Sequence, residues 1–154
     1  MRQIASACAL VILAAPLYAA CSENIVTVKG EFGQARFQID VADEPQERAR
    51  GLMFVETMPT LNGMLFVYDT PQHATFWMRN TLIPLDMIFT GVNGEILKIH
   101  QNAMPLDETT IDGGEDVLFV LEINGGLSAR LGIQEGDALQ HPAINLDPIH
   151  PCEN

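Results

Sequence analysis

The chain has 154 residues, a formal net charge of −12 and a 47% hydrophobic content. That is enough for one domain with a real core. So acidic a surface repels phosphate backbones and anionic headgroups, which argues against nucleic acid as a partner and against peripheral attachment to a membrane.

Met1-Arg2 is a short basic start, Ile4 to Leu17 is an uncharged apolar segment, and Ala19-Ala20 supply small residues for cleavage. This is the pattern of a secretory signal over residues 1–20, and the apolar run is short for the roughly 20 residues of a membrane span. The expected product is exported, either free in the periplasm or anchored as a lipoprotein facing it. Loss of Arg2 leaves 7 basic against 20 acidic residues, a net charge of 7 − 20 = −13. Tyr18-Ala19-Ala20-Cys21 resembles a lipoprotein box with tyrosine where leucine is usual. Cys21 therefore has two exclusive fates, lipidation or a disulfide with Cys152, the other cysteine left after cleavage. The small residues before Cys21 tilt the expectation toward lipidation.

A single β-rich domain is expected over 21–140, with a proline-containing tail over 141–154. Ile25 to Val28 reads as a strand ending in a Lys29-Gly30 turn. Arg36 to Val41 alternates apolar and polar residues, the period of a strand with one wet face. Asp43, Pro45 and Gln46 predict a capped short helix that stops at Gly51. Gly63 to Tyr68 and Leu85 to Phe89 are short apolar runs, read as strands buried on both faces, with a tight connection at Asp69-Thr70-Pro71 after the first. Asn93-Gly94 predicts a type I′ hairpin into a strand from Glu95 to about His100. Val117 to Ile123 is a third buried strand, interrupted by Glu122. Leu127 to Leu131 forms a second short helix closed by Gly132, and Ala138 to Gln140 an edge strand. Many short strands with two short helices predict a mainly β fold, a compact sandwich or barrel.

Five motifs then stand in order: Gly51-Leu52-Met53, Gly63-Met64-Leu65-Phe66, Phe76-Trp77-Met78-Arg79-Asn80-Thr81, Ile83-Pro84-Leu85-Asp86 and Gly132-Ile133-Gln134-Glu135-Gly136-Asp137. Together, over roughly Arg36 to Gln140, the chain resembles the bacterial and archaeal family known as domain of unknown function 192. The resemblance implies a jelly-roll-like β domain, often behind an export signal, and supplies no established reaction. Arg79 stands where the family usually has lysine, and Val55 where an arginine is frequent.

The residue inventory weighs against several chemistries. Beyond residue 20 the only serines are Ser22 and Ser128, with no nucleophile elbow, and no catalytic residue is assigned. His73, His100, His141 and His150 lack paired ligand spacing, so no metal or cofactor is expected. Met53, Met64, Met78 and Met87 lie in apolar contexts, where filling core gaps is the simpler role than soft-metal binding.

The remaining candidates are Trp77, Arg79, Asn80 and Asp86. Read as a strand, Phe76–Thr81 puts Trp77 and Arg79 on one face, where arginine lies readily over an indole. Asp86, beyond Pro84, is placed to pair with Arg79. Two readings follow: a buried Arg79–Asp86 pair that fixes the crossover, or a polar pocket that binds a ligand. Trp77, with Phe66, Leu85, Ile88, Phe89, Leu118, Val120 and Leu121, is expected in the core. The functional expectation is an exported envelope binding or accessory module, whose partner is a small molecule, a glycan or an envelope protein. The alternative is an envelope enzyme with Asp86 as acid or base and Arg79 as anion clamp, which would need a second titratable group such as His100 or Asp137.

Overall fold

The computed structural model describes residues 21–152, so the signal-like segment over 1–20 lies outside the described residues. β1 (Ile25–Gly30) and β2 (Gly33–Ala42) form an antiparallel hairpin closed by Glu31-Phe32. Phe37 and Ile39 are buried while Arg36, Gln38 and Asp40 face solvent, as the period of two demands. α1 (Pro45–Arg50) and a loop then carry the chain to β3 (Asn62–Phe76), which pairs in parallel with β2. The helix cap sits one residue later than expected. Glu44, not Asp43, is the cap, and its N–H donates to the Glu47 carboxylate 3.2 Å away. Arg48 anchors α1 to β3. It donates to the carbonyls of Asp43 and, at 2.8 Å, Val67, and its guanidinium lies over the Tyr68 ring.

β3 does not stop at Asp69-Thr70-Pro71. It runs on to Phe76 through register shifts between Val67 and Thr75, against β6 (Ile111–Asn124). Pro71 is tolerated because it falls in the irregular stretch, where its missing N–H interrupts no ladder. The outer β3–β6 arm folds over the sheet, with Phe76 edge-on to both Phe66 and Phe89 at centroid distances of 5.2 and 5.7 Å. Gly113 permits this closeness, since a Cβ there would stand 2.3 Å from the Phe89 ring.

β4 (Leu85–Thr90) lies between β6 and β5 (Ile96–Ala103), and the order across the sheet is β5-β4-β6-β3-β2-β1-β7. The β4–β5 turn is not type I′. Gly94 has φ +85° but Asn93 is not left-handed, and Gly94 N–H donates to Gly91 O, so the four-residue turn Gly91–Gly94 ends on a left-handed glycine. Gly94 O then accepts from Leu139 N of β7 (Ala138–Gln140), while Ile96 and the Gly136–Asp137 backbone exchange bonds of 2.8 and 2.9 Å. The two edge strands thus meet, and the seven-stranded sheet curls into a half-barrel.

Two apolar clusters result. Val26, Val28, Phe37, Leu65, Ile88, Phe119, Leu121 and Leu139 fill the inside of the curl. Phe66, Met78, Leu85, Met87, Phe89, Val117 and Val120 pack on the outer face, beneath the arm and the 51–61 loop. This explains why β4 and the end of β6 are apolar on both sides. Seven of the eight expected core residues are buried, but Trp77 is 46% exposed. β3 ends at Phe76, and Trp77 to Pro84 is a loop turned by a Thr81 N–H to Met78 O bond, so the period-two reading of that stretch fails.

After α2 (Leu127–Leu131), capped by the left-handed Gly132, the tail returns across the domain. His141 reaches Glu23 O at 2.9 Å, Ile144 is buried in the inner cluster, and Gln140 Nε2 donates to Pro151 O. Cys21 and Cys152 are joined in a disulfide with their Cα atoms 5.6 Å apart. A sulfur so engaged cannot carry a lipid, which reverses the tilt toward lipidation.

Candidate functional site

Asp86 is fully buried on β4, and both of its oxygens are occupied. Oδ1 accepts from the backbone N–H groups of Asn102 and Gly126, each at 2.7 Å. Oδ2 accepts from Ser128 N at 2.8 Å and Ser128 Oγ at 2.6 Å. Four donors to one carboxylate make a strong, charge-assisted cluster. It fixes the left-handed turn of Asn102 at the end of β5 and the left-handed Gly126 before α2. The expected Arg79–Asp86 pair does not form. None of the partners of Asp86 titrates, and Asp137 is engaged separately, accepting from Gln134 N. Ser128 is itself completely buried, so its contact with Asp86 is a structural bond rather than an exposed nucleophile.

Arg79 instead lies over the Trp77 ring, 5.4 Å from its centroid, as the sequence suggested by a different route. Both are exposed on the loop between β3 and β4. Two other loops are stitched to it. Phe54 N–H donates to Asn80 O at 2.8 Å, while Asn80 Nδ2 points at Met53 Sδ, 3.9 Å away. Leu106 N–H donates to Thr81 O, and Met78 N–H to Asp107 O. Phe54, Asn80 and Leu106 all have positive φ, near +65°, +55° and +64°. For bulky residues such as phenylalanine and leucine this conformation is strained, and such strain concentrates at functional sites. Phe54, Trp77, Leu82, Met104 and Leu106 are all large, apolar and exposed on these loops. Sequence reading found Trp77, Arg79 and Asn80 but missed Phe54, Met104 and Leu106, because only the fold brings their loops together.

A second polar group lies deep in the outer cluster. Glu122 is 4% exposed and its Oε2 has no hydrogen-bond partner among the described residues. Burial pushes its carboxyl up to about 8. Strand register flanks it with Met87 on β4 and Met64 on β3, and extends the row to His100 beyond Met87 and Asp40 beyond Met64. A recess of about 210 Å³ opens between β2 and the 51–61 loop, lined by Asp40, Leu52, Val55, Met58, Asn62 and Gly63 among others. The sequence showed Glu122 only as an interruption in an apolar run. On the exposed arm, His73 bridges Glu115 and Asp112 at 2.7 and 2.8 Å, and those hydrogen bonds raise its pKa.

The fold and its stitched loops define a curled β domain with an apolar, arginine-capped platform. The chain belongs to the DUF192 family, described as "Uncharacterized ACR", whose model matches residues 25–141. No curated protein matches it. Among solved structures it is similar to a protein of unknown function from Novosphingobium aromaticivorans, at 44% identity and a TM-score of 0.74, covering 81% of this chain and 89% of that one. It is also similar to a protein from Sinorhizobium meliloti described as a candidate transcription regulator, at 36% identity and a TM-score of 0.76, covering 81% of this chain and 98% of that one.

Proposed function

We propose that the protein is an exported binding module of the cell envelope, and that its recognition surface is the three-loop platform around Trp77 and Arg79. The observation that carries this reading is the exposed tryptophan capped by arginine on loops held in strained conformations. Exposed aromatic and arginine side chains are the anchors that dominate protein interfaces, and preorganised loops lose little entropy on binding. Phe54, Met104 and Leu106 widen the surface, and residues exposed on loop tips suit a partner protein better than an enclosed small molecule. The reading of Asp86 as an acid or base has less support, because its lone pairs are filled and no titratable group touches it. The description of the Sinorhizobium relative as a regulator is not carried over to DNA binding, since a net charge of −12 repels a phosphate backbone.

Site-specific photo-crosslinking in intact cells tests this. A photoreactive residue at position 77 or 106 is expected to give the same adduct, lost when Arg79→Glu is added. A probe in place of Gln34, exposed on the β1–β2 hairpin, is expected to give none. Equal adducts at all three positions, or none at 77 and 106, would overturn the reading.

A further inference from the structure

Packing accounts for buried methionines, but it does not account for the carboxyl between them. A buried polar group without a partner is costly, and a leucine at position 122 would fill the same space without that cost. Met64 and Met87 are the in-register neighbours of Glu122 on either side. Antiparallel neighbours of this kind hold their Cβ atoms about 5 Å apart, so one methionine stands on each side of the carboxyl on the same face of the sheet. We propose that Glu122, Met64 and Met87 form a binding site for a soft monovalent cation of the Cu(I) or Ag(I) type, reached through the recess beside β2.

The donor set selects the ion. A hard divalent cation takes six or more oxygens, and the site offers one carboxyl group. Thioethers favour Cu(I) over harder metals. One carboxylate balances one positive charge, so the loaded site is neutral in an apolar cluster that would penalise any residual charge. Among the described residues no group of three or more His, Cys, Asp and Glu side chains is arranged to hold a metal, which leaves sulfur as the additional donor available.

The recess meets the outer end of the row at Asp40. Asp40, Met58 and Gly63 line the recess, and Asp40 stands directly before Met64 and Glu122 in the row across the sheet. Met64 is only partly buried, so the row passes from exposed Asp40 to the buried carboxyl by way of a thioether. Gly63 keeps β3 close to β6 there, because a Cβ would lie 2.3 Å from the Glu122 carbonyl.

The test uses the full chain with Cys8→Ser, so that no free thiol competes while Cys21 and Cys152 remain bonded. Titration with Ag(I), followed by native mass spectrometry and by the methionine methyl signals in NMR, is expected to give a single 1:1 adduct. The signals of Met64 and Met87 should move while that of the exposed Met104 does not. Met64→Leu and Glu122→Gln should each weaken binding at least tenfold, and Met104→Leu should not. The absence of a 1:1 adduct overturns the proposal, as does an adduct unaffected in Met64→Leu, a conservative change at a partly exposed position that keeps the fold if Glu122→Gln does not.

Discussion

The buried carboxyl of Glu122 has a thermodynamic signature that can be worked out in advance. Its folded-state pKa is raised to about 8 by desolvation, against an ordinary value of 4.5. Below pH 4.5 both folded and unfolded chains carry the proton, and the group contributes no pH dependence. Between the two values the unfolded chain has lost the proton while the folded chain keeps it. Stability then falls as pH rises, by about 1.4 kcal/mol per pH unit for a single proton. From 4.5 to 7 that amounts to about 3 kcal/mol, a large fraction of the usual stability of a small domain. Glu122→Gln keeps the shape and removes the titration. Urea melts of metal-free protein from pH 5 to pH 8 should therefore show the variant gaining on the wild type by up to about 1.4 kcal/mol per unit in the middle of that range and by less as pH nears 8, whatever the offset from the new amide. A difference between variant and wild type that stays constant across that range would show that Glu122 ionises normally despite its burial.

Two further outcomes follow from the contacts. Asp86→Ala strands four donors, the two of Ser128 buried and those of Asn102 and Gly126 part-buried, and should cost at least about 3 kcal/mol, while Arg79→Ala costs little. A double-mutant cycle between them should be additive, and a coupling above about 0.5 kcal/mol would mean that the side chains meet in solution. The Cys21–Cys152 bond closes a loop spanning 131 residues. Reducing it should lower stability by up to about 4–5 kcal/mol. Intact-mass analysis of envelope-derived protein should show cleavage before Cys21, no added lipid and two fewer hydrogens than the reduced chain; a diacylglycerol mass on Cys21 would exclude the bond.

Sequence by itself determined the class of fold, the family and most of the core. Alternation from Arg36 to Val41 and the apolar runs at Leu85–Phe89 and Val117–Ile123 are short-range signals that depend on which face of a strand a residue occupies. The five motifs that carry the family resemblance are equally local. Even the pairing of Cys21 with Cys152 was visible as one of two alternatives. What the tertiary structure alone decided was which of these local pieces meet. Asp86 and Arg79 lie seven residues apart, yet Asp86 turns to donors 16 to 42 residues away, because β4 sits between β5 and β6. Trp77 reads as core only if a strand continues through it, but β3 ends one residue before it and the loop carries it outward. Phe54 and Leu106 joined it through single backbone bonds across loops that no periodicity encodes. The isolation of Glu122 was equally hidden. A glutamate in an apolar run is explicit in the sequence, but that its Oε2 finds no partner among the described residues, and that methionines flank it, follow from the register of three strands, which is set by closure of the whole sheet rather than by any segment within it.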